Sequence, residues 1–254
     1  MNDCLDRFKE EARALARNKL PLFYSQFPNE LHCAREMFFD HPLILRCQED
    51  ALPFLNDTAG HGIQHAKNVA IETGAIIFID GTRKDLKTTR HLALLGQISG
   101  LLHDTCRLED DHARVGADLS RIILRDYPLS DRDKEMIYFA ICNHEAFQPV
   151  DPPQDGETQL LSAALYDADK FRWGPDNFST LLWEMCDYQE WPLPEVIARF
   201  PLGMKRLREI LPTFQTEVGR SFGPEFIEIG LELGQTIYRR VQEFGTKQDR
   251  SQPN

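Results

Sequence analysis

Histidine and aspartate stand side by side at the end of a long apolar run, in the stretch "LLGQISGLLHDTCR". His103 and Asp104 are both metal-capable, since imidazole and carboxylate are common ligands of divalent ions. Gly96, Ser99 and Gly100 share a face with His103 if the stretch is helical. These small side chains would let neighbouring helices approach closely, as a compact buried site requires.

Four further histidines lie on other segments and are candidate ligands. His61 and His65 are one helical turn apart, so they share a face of the next helix upstream. His112 begins a predicted helix on the face that is expected to point inward. His144 continues the apolar stripe of the helix before it, so it is also expected to point inward.

The segment "LYDADKF" supplies two carboxylates, Asp167 and Asp169, within an otherwise apolar helix. The two point about 200° apart on a helix, so only one of them can face a shared site. Buried ionisable groups are usually paired or bind a metal. Inward-facing His and Asp side chains on several helices therefore predict a metal site. The ligand set suits Mn, Fe, Co, Ni or Zn and tolerates Mg.

The elements that must position these residues are helices. Nearly every segment carries helical periodicity, and convincing strand alternation is absent. The sequence predicts an all-α fold, with a helical domain at 46–245 and an N-terminal helical extension at 1–45 packed on it. Ser130 is expected to cap the helix that leads to His144. The polar end "GTKQDRSQPN" predicts a disordered tail over 246–254.

Composition narrows the class of partner. The chain has 254 residues and a formal net charge of -11, which argues against a nucleic-acid polymer or an anionic membrane as the main partner. A small anionic substrate stays compatible, because a bound metal reverses the local field. The six cysteines form no CxxC pair, and neither a signal-peptide pattern nor an apolar run of ~20 residues is present. We therefore expect a cytoplasmic protein with free thiols, whose oligomeric state stays open.

The order of these motifs resembles the HD-domain superfamily of metal-dependent phosphohydrolases, over about residues 50–175. "HAKNV" is similar to the first-histidine element HxxRV, "LLHDTCR" resembles the HD helix, and "DADKF" resembles the DADRL-type element. The resemblance implies an HD-type helical bundle. It also implies that one divalent metal ion is held by His65, His103, Asp104 and Asp169.

The resemblance extends to the second metal site of dinuclear members. "HARVGA" resembles "HPEIGA" and "NHE" resembles "HHE", so His112 and His144 lie where such members have extra ligands. Asn143 replaces the first histidine of that pair, which counts against a full second site. The GYP signature is absent, which counts against cyclic di-GMP phosphodiesterase activity. One or two ions per chain stay open, and His61 is a further candidate as an outer ligand or substrate contact.

The chemistry expected of such a site is hydrolysis. A divalent metal lowers the pKa of bound water and polarises a phosphoryl oxygen. Asp104 is expected to bridge a metal and orient that water. His112 and His144 are expected to hold a second ion, or else to donate protons or hydrogen bonds to phosphate. Arg107, predicted on the next turn of the same helix, and Lys170 are expected to neutralise phosphate charge.

Other residues near these motifs are interpreted as structural. Cys106 is read as a small buried residue rather than a nucleophile, since no separate His–Asn arrangement supports it. Phe171, Trp173 and Phe178 favour core packing, with one wall of a substrate pocket as the alternative. Three histidines do not point inward in an ordered series with other candidate ligands, and they are interpreted as structural: His32, His41 and His91.

Three functions remain open on the sequence. The leading hypothesis is hydrolysis of a small phosphorylated metabolite such as a nucleotide. The second is an HD-type diiron oxygenase, which would use His112 and His144 as extra ligands and which Asn143 disfavours. The third is a metal-stabilised sensor or binding module, with the N-terminal and C-terminal helices as the partner surface.

Overall fold

The structure is a computed structural model that describes residues 3–55, 62–81 and 84–251, with side chains described between residues 5 and 246. Within these ranges the chain forms twelve α-helices and no β-strand, which confirms the predicted all-α fold. None of these helices is both long and apolar enough to cross a membrane. The helices are α1 (Asp3–Ala16), α2 (Phe23–Gln26), α3 (Pro28–Asp40), α4 (Pro42–Ala51), α5 (Ile63–Asp80), α6 (Leu86–Leu102), α7 (His112–Ile123), α8 (Asp131–Cys142), α9 (Gly156–Phe171), α10 (Leu182–Tyr188), α11 (Leu193–Ile210) and α12 (Glu217–Ser251).

Helices α5, α6 and α9 form the centre of the fold. The runs 69–77, 92–102 and 161–172 are buried without interruption, as expected for helices that are apolar around most of their circumference. Helix α5 packs against α6 and α9, and α8 packs against both α6 and α9. The predicted ligands therefore lie on, or directly after, the helices that are best fixed by the core.

The small-residue face of α6 allows α5 to come close, as the sequence predicts. A Cβ atom at Gly100 would lie 2.5 Å from the Cα atom of Ala70, and one at Gly96 would lie 2.6 Å from the Cδ1 atom of Ile77. Overpacking of this kind costs about 1–3 kcal/mol or moves the backbone. The glycines thus set the distance between α5 and the end of α6, where His103 follows.

Side-chain caps fix where the supporting helices begin. The Ser130 hydroxyl accepts the Asp133 N–H while the Asp133 carboxylate accepts the Ser130 N–H, a capping box that confirms the predicted cap of α8. Asp85 accepts the N–H of Thr88 at the start of α6. Asp155 accepts two backbone N–H groups at the start of α9. Each cap satisfies donors that a helix leaves unpaired and is worth about 1 kcal/mol.

The two ends of the chain pack as helices. Helix α1 packs against α10 and α12, α3 against α5, and α4 against α6, and their apolar side chains join the same core. The boundary proposed near residue 45 stays a prediction. Helix α12 continues to Ser251. The disordered tail over 246–254 stays a prediction, and 252–254 lie outside the described residues.

Candidate metal centre

Ligand atoms from α5, from the end of α6 and from α9 converge on one point. His65 Nε2 lies 3.2 Å from His103 Nε2 and 3.5 Å from Asp104 Oδ2. Asp169 Oδ1 lies 3.3 Å from His65 Nε2 and 3.8 Å from His103 Nε2. His103 Nε2 lies 3.3 Å from Asp104 Oδ2. Atoms that bind one ion at about 2.0–2.2 Å, with angles of about 90–120° between them, lie roughly 2.8–3.8 Å apart, so this spacing fits a shared divalent ion.

A second group of side chains lies on the other side of the Asp104 carboxylate. Asp104 Oδ1 is 3.6 Å from His144 Nε2 and 3.8 Å from His112 Nε2. Two sets of potential ligand atoms, each within 4.8 Å of one another, share His103. We call their union the His/Asp cluster: His65, His103, Asp104, His144 and Asp169. The buried His and Asp groups of this cluster are able to bind a metal ion.

Backbone carbonyls orient two of the imidazoles. His103 Nδ1 lies 2.9 Å from the Gly100 carbonyl oxygen, and His144 Nδ1 lies 2.6 Å from that of Ile141. Because a carbonyl only accepts, each Nδ1 carries the proton and donates it. The Nε2 atom of each ring then points into the cluster, where it accepts or binds a metal ion whenever it carries no proton. Such outer hydrogen bonds are typical of metal-binding histidines, because they fix tautomer and orientation.

The cluster is electrostatically suited to a cation. Burial lowers the pKa of His103, but the neighbouring Asp104 and Asp169 carboxylates outweigh it and raise that pKa to about 10. Burial also opposes ionisation of Asp169, yet Lys170, His103 and His65 hold the pKa of this carboxyl well below its ordinary value. The two carboxylates therefore favour positive charge at this point, whether a proton or a metal ion supplies it.

Arg107 lies in a turn, whereas the sequence placed it on the same helix as Asp104. Helix α6 ends at Leu102, and residues 103–108 form turns. The His103 ring and the Thr105 hydroxyl both donate to carbonyls of the last helical turn, the latter to Leu102 over 2.9 Å. Side chains that bind these carbonyls compete with continuation of the helix, which explains the early end.

The turn brings Arg107 against His112. Arg107 Nη1 lies 2.9 Å from His112 Nε2, and because guanidinium only donates, this imidazole nitrogen accepts. Burial, together with Arg107 and His144, lowers the pKa of His112 to about 4. His112 is therefore neutral near pH 7. Its Nε2 atom faces a guanidinium of the same chain, which disfavours a second ion at that position.

The two aspartates of α9 face opposite ways, as expected from helical geometry. Asp169 faces the cluster, where Lys170 contacts its Oδ2 atom and donates to the His144 carbonyl over 3.1 Å. Asp167 instead accepts the backbone N–H groups of Gln215 and Thr216 over 2.8 and 2.7 Å, directly before α12. Asp167 thus has a structural role at the start of α12.

Other predicted residues fall outside the cluster. His61 lies outside the described residues. Asn143 binds the backbone, donating to the Phe139 carbonyl and accepting the Asp151 N–H. Cys106 is half-buried in the turn after α6. The three histidines read as structural have local roles: His32 lies beside Glu36 at the surface, His41 caps α4, and His91 contacts Asp133 over 2.8 Å.

A cavity of about 530 Å³ opens from the cluster. Asp104, Asp169, Arg107 and Lys170 line it where it meets the cluster. Its remaining walls are largely apolar and come mostly from residues after α9, with Glu145, Ala146 and Phe147 from the segment before that helix. The contribution of α10 and α11 was not predicted, because amphipathic helices carry no sign of which face lines a cavity. These walls include Trp173, Phe178, Leu182, Met185, Trp191, Phe200 and Leu207.

Of the three aromatics after the last predicted ligand, two line this cavity. Trp173 and Phe178 contribute to its wall, in agreement with the pocket alternative, and Phe178 is also buried. Phe171 stacks on Phe226 with ring centroids 4.1 Å apart, in agreement with core packing. The segment that contains these three aromatics therefore contributes both to the core and to the cavity wall.

Comparison of the chain with protein-family models, with curated proteins and with solved structures found no match in any of the three.

Proposed function

We propose that the protein is a metal-dependent phosphohydrolase of the HD type that acts on a small phosphorylated metabolite. The observation that carries the proposal is the opening of a buried His/Asp cluster into a cavity beside which Arg107 and Lys170 lie. His65, His103, Asp104 and Asp169 would hold one divalent ion, with Mn, Fe, Co, Ni, Zn and Mg all compatible with imidazole and carboxylate ligands. When bound, such an ion polarises a phosphoryl oxygen and lowers the pKa of the attacking water.

Residues of the chain orient the attacking water and the phosphate group. The Asp104 Oδ1 atom, turned away from His65, accepts a hydrogen bond from the attacking water and aligns it. Arg107, held by neutral His112 over 2.9 Å, donates to the phosphoryl oxygens and offsets their charge. Water forms a bond to phosphorus, the bond from phosphorus to the ester oxygen breaks, and one water proton ends on the leaving oxygen.

Lys170 acts mainly as a positioning residue. Its ammonium is buried, contacts Asp169 and donates to the His144 carbonyl. These contacts fix the Asp169 carboxylate and the segment that carries His144. The Arg107–His112 contact supports one ion per chain rather than two, and it therefore disfavours the diiron oxygenase alternative.

The shape of the cavity supports an amphipathic substrate. Its volume of about 530 Å³ lies in the range of sites for metabolites and drug-sized ligands. The phosphate group would lie at the charged end, beside Arg107, and an apolar or aromatic portion would pack on Trp173 and Phe178. A nucleoside monophosphate has this combination of groups and is the first compound to test.

The experiment measures inorganic phosphate released from a panel of phosphate monoesters, including nucleoside monophosphates, with each of the six metals added in turn. The wild type is expected to hydrolyse at least one ester, and Asp104→Ala to reduce kcat/KM at least about 100-fold, because it removes a ligand and the water-orienting oxygen. A wild type that is inactive on the whole panel, or an Asp104→Ala variant with full activity, would refute the proposal.

Cys106→Ser is the matched control, because Cys106 lies two residues further along the same turn. Its activity is expected to stay within about twofold of the wild type, as for most changes outside a site. A loss as large as that of Asp104→Ala would point to a thiol mechanism instead of water attack.

A further inference from the structure

A second cavity lies between the N-terminal helices and the core, and nothing in the proposed hydrolysis uses it. Its volume is about 850 Å³, and residues of α1, of α3, of α5 and of the segment after α9 line it. Its lining contains six cationic side chains and two carboxylates. The cations are Arg13, Arg17, Lys19, Arg35, Lys67 and Arg172, and the carboxylates are Glu72 and Asp176. We call it the cationic cavity.

An excess of cations is unexpected on this chain, whose formal net charge is -11. Three of the six are neutralised: Arg13 by Glu10, Lys19 by Glu232, and Arg172 by Glu72 and Asp176. The other three, Arg17, Arg35 and Lys67, form no ion pair with any residue in the described part of the chain. Positive charges gathered around one concave surface repel one another unless an anion joins them.

The floor of the cavity is rigid. The Arg172 guanidinium donates to both Glu72 oxygens over 2.7 Å and to the Tyr24 hydroxyl over 2.8 Å. Tyr24 in turn donates to Glu72 over 2.6 Å. Both Arg172 and Glu72 are buried. A floor whose side chains bind one another in this way holds the walls in place, so a ligand would meet a preformed site.

We propose that the cationic cavity binds a small polyanion that carries two or more phosphate groups. Four of the six cations are arginines, whose planar forks match phosphate oxygens in pairs. The volume suits a metabolite rather than a polymer, and the acidic net charge disfavours a nucleic-acid chain.

The site is suited to regulation, because its floor and the His/Asp cluster share two helices. Glu72 lies on α5, as does His65, and Arg172 directly follows α9, which carries Asp169. A polyanion that joins the N-terminal helices to this floor would stabilise the packing that also holds two of the predicted ligands. Binding itself, however, does not depend on hydrolysis by the cluster, so the two proposals can fail separately.

The test is titration calorimetry of the full chain with sodium tripolyphosphate. The wild type is expected to bind it, with affinity that falls as salt is added. The Arg17→Ala/Arg35→Ala double variant is expected to bind at least about tenfold more weakly, because two charge-assisted contacts are lost. Both side chains are exposed, so the melting temperature should not change. Arg239→Ala removes an exposed cation outside the cavity and should bind within about twofold of the wild type.

Tripolyphosphate also chelates metal ions, so a metal ion in the His/Asp cluster would bind it too. Asp169→Asn distinguishes binding at the cluster from binding in the cationic cavity. This variant is expected to bind the probe as the wild type does. No binding by the wild type, or equal binding by the double variant, would overturn the proposal. Binding that is lost in Asp169→Asn but kept in the double variant would assign the probe to the cluster and overturn it equally.

Discussion

The His/Asp cluster and the Glu72–Arg172 pair are two buried polar groups that both take residues from α5 and from α9 or its C-terminal end. In the pair, the Glu72 carboxylate accepts two hydrogen bonds of 2.7 Å from the Arg172 guanidinium. It also accepts one from the Tyr24 hydroxyl. Burial raises the pKa of Glu72 to about 7, against the opposing effect of Arg172. The charges of this pair are balanced inside the chain, so the group is complete without a ligand.

The cluster is composed differently. Its imidazole nitrogens point at one another and at carboxylate oxygens, with His65 Nε2 and His103 Nε2 only 3.2 Å apart. Lys170 contacts one oxygen of Asp169 and leaves the other facing the imidazoles. A buried carboxylate alone therefore does not indicate a metal site. Convergence of several oriented imidazoles on that carboxylate does.

The largest expected effect separates the two aspartates of α9. Asp169→Asn is expected to weaken metal binding at least about 100-fold, because it removes a charged ligand. Asp167→Asn is the matched control, since this side chain accepts hydrogen bonds from Gln215 and Thr216 and should keep its metal. Elemental analysis of protein purified without chelators measures both. Equal metal content in the two variants would remove Asp169 from the site.

A smaller effect is expected on the stability of the fold when the Glu72–Arg172 pair is broken. Arg172→Met leaves the buried Glu72 carboxylate without its cation, which should lower the free energy of unfolding by about 3–5 kcal/mol. The double variant Arg172→Met/Glu72→Met should recover most of that loss, since replacing both charges by apolar groups is often neutral. Denaturant unfolding measures this cycle, and metal content should not change in either variant.

An exposed ion pair provides the control for that cycle. Arg121 contacts Glu135 over 2.7 Å with both side chains about half exposed. Glu135→Gln should therefore cost at most about 1 kcal/mol. If Arg172→Met cost no more than this, the pair would not hold α5 and α9 together as described.

The sequence predicted the all-helical fold and the residues of the cluster better than it predicted their surroundings. Helical periodicity and the inward position of His144 follow from local rules, whereas helical geometry alone left open whether Asp167 or Asp169 faces the site. The end of α6 at Leu102 does not, because it depends on side chains that bind the last carbonyls. The position of Arg107 against His112 follows from that turn, and it was missed for the same reason.

The two cavities show more clearly what could not be predicted from the sequence. Arg17, Arg35 and Lys67 are isolated cations in the sequence, with no spacing that relates them. Only the packing of α1 and α3 near α5 gathers them around one space. The apolar wall beside the cluster likewise comes from α10 and α11, whose patterns would fit any buried helix face. Long-range packing of this kind is not encoded in local periodicity.

The smallest expected effect concerns the Asp133 carboxylate, whose partner His91 lies near the surface. It contacts His91 over 2.8 Å and forms the capping box of α8. Burial would raise the pKa of Asp133, but His91 and the Ser130 groups outweigh it and lower the pKa below 3.8. The native state therefore binds this proton less tightly than the unfolded chain does, so ionised Asp133 stabilises the fold above about pH 4. The contribution is lost as pH falls through the lowered pKa.

Asp133→Asn should accordingly lower the free energy of unfolding by about 1 kcal/mol at pH 7. The difference from the wild type should shrink as pH falls below about 4, because the wild-type carboxyl then becomes neutral as well. Denaturant unfolding at pH 7, 5 and 3 measures the two curves. A constant difference across this range would mean that the charge of Asp133 contributes nothing, and that only its hydrogen bonds at the start of α8 matter.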